Sequence, residues 1–211
     1  MKKIYLLLVI GLLTSPIQLL AKKVEGKIIF ENDTLEVVFD IPTNIFTKQP
    51  DYEKLQYRVK YVDSEGKKMV LKSDKAKEIQ FKIGEENVRM LSRINTLGSG
   101  MLLSTNRNIF LKLEDDGILK LFKFFYTQRN TTMPNSPTGV MMGGSSYSQE
   151  TYMLQKGKGE LKKPKFLSFK KDMAAYLSDC PSMVEKIEIK DFRYNDIPSM
   201  VEYYNSNCGN Q

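Results

Sequence analysis

The chain predicts an α+β protein: an antiparallel β-sandwich or partly open barrel followed by a short helical tail pinned by a disulfide. Three observations carry this. Short runs of alternating apolar and polar residues, separated by turn signals, recur from Lys23 to about Tyr152. Beyond Pro164 the apolar spacing changes to that of helices. Both cysteines, Cys180 and Cys208, fall in that last segment. The expected organisation is a leader over 1–21, a β-rich domain over 22–164 and a helical segment over 165–211 that packs on it.

In the leader, Lys2 and Lys3 precede an apolar run from Ile4 to Leu13, which Thr14, Ser15 and Pro16 break before Ala21. This is the pattern of an export signal cut after Ala21. The run of ten residues rises only about 15 Å as a helix, half of a roughly 30 Å hydrocarbon core, which is too short for an anchor. No cysteine stands near Ala21 to carry a lipid, and no later stretch reaches the roughly 18 apolar residues a span needs. The mature chain is expected to be exported, periplasmic or extracellular and outer-membrane-associated, with no transmembrane segment.

The strands follow in order. Val24, Ile28 and Phe30 and then Leu35, Val37, Val38 and Phe39 flank Asn32-Asp33, a hairpin signal. Tyr57, Val59 and Tyr61 alternate up to a tight turn at Asp63-Ser-Glu-Gly66, and Met69 to Leu71 returns. Ile79, Phe81 and Ile83 share one face of a half-buried strand, with Val88 to Leu91 next. Ile109 to Leu113 and Ile118 to Phe125 flank Glu114-Asp-Asp-Gly117, the clearest hairpin in the chain.

Residues 127–150 are rich in Asn, Thr, Ser, Gly, Pro and Met, which predicts a long flexible loop. Val140, Met141, Met142 and Tyr147 would give it an adaptable apolar surface for contact with a partner, because methionine repacks easily. A thioether copper site from Met133, Met141, Met142 and Met153 is weighed and set aside.

In the tail, Phe169, Met173, Tyr176 and Leu177 have helical spacing with Ser168 placed to cap. Pro181 opens a second helix carrying Val184 and Ile187. A third has Asn195 or Asp196 at its cap, Pro198 in its first turn, and Ile197, Met200, Val201 and Tyr204 along one face. In an exported chain Cys180 and Cys208 should pair and tie the start of the second helix to the end of the third. Three short helices cannot bury enough surface alone, so they should dock on the β layer.

Composition closes several routes to catalysis. With no His and no Trp, the chain lacks a Ser/His/Asp triad, Cys/His nucleophiles, His-ligated zinc and a histidine base. Without Lys2 and Lys3 the charge is 30 basic against 25 acidic residues, a net +5. The basic residues are 26 Lys and 6 Arg scattered among acids, which argues against nucleic acid as a partner. Ser-x-x-Lys occurs at Ser64/Lys67 and Ser168/Lys171, at the frequency chance predicts and without a Lys-Thr-Gly partner. The acid pairs Glu85/Glu86 and Asp115/Asp116 invite a two-carboxylate glycosidase reading, but the second pair sits in a hairpin turn, where carboxylates are usually solvated, and no aromatic cluster or Trp offers a sugar platform. Asp63, Glu65, Glu114, Asp115 and Asp116 lack the spacing of a calcium loop, and no cofactor is expected.

Four patches in order resemble a family of exported proteins of Bacteroidetes-type bacteria. They are Arg58-Val-Lys-Tyr61-Val-Asp63 with Gly66, then Ala76-Lys-Glu78-Ile-Gln-Phe81. Phe110-Leu-Lys-Leu-Glu114 with Gly117 and Leu119-Lys-Leu-Phe122 form the third, and Asp179-Cys180-Pro181 with Tyr204-Asn205 and Cys208 the fourth. The resemblance covers most of the mature chain. It implies the periplasm or outer face of a Gram-negative cell and supplies no catalytic residue. Asp33-Thr34-Leu35 also resembles the Asp-Ser/Thr-aliphatic site that such bacteria O-glycosylate, which would place a glycan on Thr34.

The function expected is therefore an exported, non-catalytic binding or cell-envelope-associated module whose partner is an envelope protein or polymer. The alternative is a secreted hydrolase using carboxylates or a Ser/Lys pair. It requires at least two of Ser168, Lys171, Glu85, Glu86, Asp115 and Asp116 to converge in a concave site.

Overall fold

The computed structural model describes residues 21–44, 48–95, 108–130 and 145–208. The expected export signal before Ala21 and the contact residues Val140, Met141 and Met142 lie outside them.

Nine strands form one antiparallel sheet: β1 (Lys22–Ile29), β2 (Thr34–Ile41), β3 (Arg58–Val62), β4 (Lys68–Lys72), β5 (Glu78–Ile83), β6 (Glu86–Ile94), β7 (Asn108–Asp116), β8 (Leu119–Asn130) and β9 (Ser145–Lys156). Their spatial order is β4-β3-β2-β1-β5-β6-β7-β8-β9. Every connection but one joins neighbours, as hairpin chemistry dictates. Asn32-Asp33 closes β1 to β2, where the Phe30 N–H donates to the Asp33 carbonyl at 2.9 Å. Gly66 and Gly84 close the next two hairpins with φ of 80° and 62°, a region that favours glycine. The exception is the pairing of β5 with β1, Ile28 opposite Ile79, which places the second half of the sheet on the far side of the first strand.

The sheet rolls. Ser73, just after β4, donates its hydroxyl to the Asn108 carbonyl of β7 at 2.6 Å and accepts from the Ser92 hydroxyl of β6 at its own carbonyl. Strands far apart in the sheet order are thus joined at one end. One face of β1 to β6 closes around an apolar interior of Val24, Ile28, Phe39, Ile79, Phe81 and Met90, with Phe110 from β7. Gly26 belongs to that face because any side chain there would run into the Phe39 ring and the Gln80 carbonyl. A one-turn helix, α1 (Tyr52–Leu55), stoppers the interior with fully buried Leu55, and its start is capped by Asp51 accepting from the Lys54 N–H. Four residues are too few to show a helical period, so α1 escapes sequence reading.

Residues 127–130 and 145–150, expected within a long loop, are strand. β8 and β9 pair in continuous register from Leu119↔Lys156 to Asn130↔Ser145. Their polar, Thr- and Ser-rich ends read as loop, but pairing of two twelve-residue strands overrides that composition.

The tail holds α2 (Phe169–Tyr176), α3 (Pro181–Glu188), a 3₁₀ turn (Tyr194–Asp196) and α4 (Ile197–Asn207). Met173, Met183, Ile187, Met200, Val201 and Tyr204 pack on Leu119, Leu121 and Leu154 of the β8–β9 hairpin. Cys180 and Cys208 form the expected disulfide, from the residue before α3 to the residue after α4. Ser168 occupies the position before α2, yet its hydroxyl donates to the Asp172 carboxylate at 2.6 Å instead of capping the backbone. Asp196 likewise precedes α4 but accepts from the Arg193 N–H at 2.9 Å, which closes the 3₁₀ turn. No helix among the described residues is long and apolar enough to cross a membrane.

Candidate functional site

An open groove of about 800 Å³ lies between α1 and the upper half of the β8–β9 hairpin. It exists because β7 and β8 part. Their ladder runs as far as Lys112↔Lys123, and continuing that register outward would set Leu111 against Phe124 and then Phe110 against Phe125. Gln56 stands in that gap. Its carbonyl accepts from the Phe110 N–H at 2.8 Å, and its side-chain amide exchanges two hydrogen bonds with the Phe125 backbone. The two strands therefore diverge around α1, and the hairpin swings out to make one wall.

Tyr52 from α1 stacks on Phe125 from β8, with ring centroids 4.9 Å apart, and Tyr57 lines the same groove. Polar groups rim this aromatic floor: Asp51, Glu53, Thr127, Ser148, Gln149 and Glu150. The carboxylates are held in place. Asp51 pairs with Lys54 at 2.7 Å, Glu53 accepts from the Thr127 hydroxyl at 2.6 Å, and Glu150 pairs with Lys123 at 3.0 Å.

Behind Tyr52 lies Lys112, one of the few buried charged side chains, with its ammonium 5.3 Å from the Tyr52 ring centre. It pairs with Glu86 and Glu114, each at 2.7 Å. Burial by itself would depress the Lys112 amine, but the hydrogen bonds to Glu114 and Glu86 hold it above its ordinary value. Burial, aided by the Glu86 charge, pushes the Tyr52 phenol up to about 12, and burial raises Tyr57 as well. These shifts move protons away from neutrality, so both phenols stay donors at any physiological pH. The groove presents fixed hydrogen-bonding groups and aromatic faces.

The residues considered for a hydrolase lie elsewhere, and no hydrogen bond or ion pair among the described residues joins any two of them. Glu86 is bound to Lys112. Asp115 accepts from the Asn205 amide at 2.8 Å and from the Gly117 N–H at 3.0 Å. Asp116 sits between Arg89, at 2.7 Å, and Lys120. Burial would raise its carboxyl, but hydrogen bonds from Lys120 and Arg89 hold it below the usual carboxylate range. Ser168 and Lys171 line one shallow depression, but the Ser168 hydroxyl is engaged by Asp172. Among the described residues there is no cluster of three or more Cys, Asp or Glu able to hold a metal ion.

Thr34 opens β2 at an exposed turn, its N–H donating to the Asp33 carboxylate at 2.7 Å. Tyr147 sits on β9 opposite Gln128 and is 41% exposed. The stretches around Gly117–Leu119, Asp179 and Tyr204–Asn205 meet in the frame of the fold. The Tyr204 hydroxyl donates to Asp179 at 2.5 Å, and Asp179 also pairs with Lys156 at 2.9 Å. The Asn205 amide fills the space over Gly117 and bonds both backbone groups of Leu119, at 2.8 and 3.0 Å. Sequence reasoning missed the groove residues Tyr52, Gln56 and Phe125, because each belongs to a different local pattern and nothing in their spacing joins them. No protein-family model, curated protein or solved structure matches the chain.

Proposed function

We propose that the chain is an exported, non-catalytic binding module of the cell envelope, whose ligand seat is the groove between α1 and the β8–β9 hairpin. The observation that carries this reading is the state of the groove's ionisable groups. Its acids are tied to Lys54, Thr127 and Lys123, and its phenols are shifted away from neutrality, which leaves contact surface rather than acid–base machinery. Aromatic faces beside hydroxyl, amide and carboxylate groups are what a saccharide with an apolar ring face and equatorial hydroxyls requires. A polysaccharide of the envelope is thus the ligand class.

Export rests on the leader pattern and on a disulfide that needs an oxidising compartment. The exported family that the four patches resemble fits this placement. Mass spectrometry of protein collected outside the cytoplasm should find a mature N-terminus at or beside Lys22, and retention of Met1 there would refute the leader.

The groove is tested with soluble peptidoglycan fragments, read through tyrosine fluorescence, which no tryptophan masks. Ser148→Arg plugs the groove from an exposed strand position without touching the core. Binding by the wild type and at least ten-fold weaker binding by the variant are expected. No binding by the wild type, or equal binding by both, overturns the assignment.

A further inference from the structure

Three large apolar side chains stand out into solvent on the helical tail: Leu167 is 97% exposed, Phe166 70% and Ile189 63%. A single exposed leucine is ordinary, but a group of such residues in one place marks a contact surface. Phe166 and Leu167 are consecutive in the chain. Leu167 shares a shallow depression with Lys170, Lys171 and Glu188, the residue before Ile189. Phe166 packs edge-on against Tyr194, with ring centroids 5.5 Å apart, and Phe169 holds the same Tyr194 from the protein side. The segment is anchored on both flanks by buried Pro164 and Phe169, so the exposed pair is presented on a fixed frame.

Basic side chains outnumber acidic ones around it. Lys165, Lys170, Lys171 and Lys190 are all exposed around the patch, and none of them forms an ion pair among the described residues. Glu188 on α3 shares the depression with Lys170 and Lys171, Asp172 accepts from the Ser168 hydroxyl and keeps its charge, and Asp191 pairs with Lys186. An apolar tip inside a lysine collar is the composition of a surface that lies in a lipid headgroup layer. Lysine, a point charge without the arginine fork, suits a diffuse anionic layer better than a single phosphate held in two places.

We propose that Phe166, Leu167 and Ile189 with this lysine collar dock the protein on an anionic lipid bilayer. A two-fold pairing of the patch with a second copy would set the collar against itself, lysine facing lysine. An acidic soluble polymer would satisfy the lysines and leave Leu167 and Phe166 in water. A bilayer with anionic headgroups satisfies both halves. The docking is independent of the groove, which lies between α1 and the other end of the β8–β9 hairpin from the residues that α4 covers.

The test places an environment-sensitive fluorophore on Leu167→Cys, with Glu65→Cys in the β3–β4 turn as control; both native cysteines are in the disulfide. Full-length protein is mixed with vesicles of phosphatidylcholine alone or with 30% phosphatidylglycerol. A blue shift at position 167 is expected with the anionic vesicles, little with the neutral ones and none at position 65, fading as salt is added. A lysine near a charged membrane contributes about five-fold in affinity, so Lys165→Glu with Lys170→Glu and Lys171→Glu should weaken binding at least ten-fold. These positions are exposed, so the melting temperature should not move. Four results overturn the proposal: no shift at 167, an equal shift at 65, affinity unchanged by charge reversal, or a shift at 167 that tracks protein concentration without lipid.

Discussion

The side-chain amide of Gln56 pairs with both backbone groups of Phe125, donating to the carbonyl at 2.9 Å and accepting from the N–H at 2.7 Å. It does the work of a missing strand residue where β7 and β8 part. At the other end of β8, Asn205 of α4 pairs in the same way with Leu119. Two amides from distant segments thus finish the hydrogen bonding of one strand, the first opening the groove and the second fixing the tail.

Gln56→Ala should leave the Phe125 N–H and carbonyl without partners in a buried setting. Unmade buried hydrogen bonds of this kind cost about 1 to 3 kcal/mol each, so a total loss of about 2 to 6 kcal/mol is expected in urea unfolding. A loss below about 0.5 kcal/mol would mean that water takes over the amide's place.

Gly26→Val should be among the most damaging single changes. A side chain at this position meets the Phe39 ring and the Gln80 carbonyl inside the rolled sheet, and the carbonyl belongs to the backbone of β5. Overpacking of this sort costs about 1 to 3 kcal/mol or more. Gly66→Ala, at a turn with open space but positive φ, should cost less, and thermal melting of the two variants gives the order.

Replacing both cysteines by serine removes a closure across a sequence separation of 28 residues. Loop entropy puts the loss at about 3 to 4 kcal/mol. Non-reducing peptide mapping should recover the peptide of Cys180 joined to that of Cys208, and a full yield of free thiols would refute the pairing.

Acid should loosen the tail first at Asp179. Burial would raise this carboxyl, but the Tyr204 hydroxyl and the Lys156 amine outweigh it and hold the group below its ordinary value. A carboxylate depressed in the folded state contributes stability that is complete above its unfolded value of about 4 and is lost as pH falls below it. The advantage of wild type over Asp179→Asn should therefore be constant from pH 7 to 5 and shrink between about pH 4 and 2. Half exposure of the side chain keeps the effect modest. A difference that does not change with pH would dismiss the linkage.

Much of this molecule was legible from short stretches of chain. Asn32-Asp33, Gly66 and Glu114 to Gly117 marked hairpins because turn chemistry is decided within four residues. Ile197, Met200, Val201 and Tyr204 marked a buried helix face because their spacing is that of the helix itself. The upper β8–β9 hairpin was misread as loop because Thr127, Ser145 and Ser148 have loop composition and owe their strand form to a partner across the ladder. Ser168 and Asp196 stood where caps belong, yet their oxygens found nearer partners in Asp172 and Arg193.

The order of residues sufficed for most of the strands, the three tail helices and the paired cysteines, since periodicity, turn preference and thiol count are short-range or compositional properties. The rolling of the sheet, the parting of β7 from β8 and the groove that results came only with the folded chain. The parting and the groove depend on Gln56 meeting Phe110 and Phe125, residues 54 and 69 positions away along the chain, and the rolling on Ser73 meeting Asn108 and Ser92. An uncharged amide that completes a strand at such a separation leaves no periodic trace, because its energy is realised only after the intervening loop has closed.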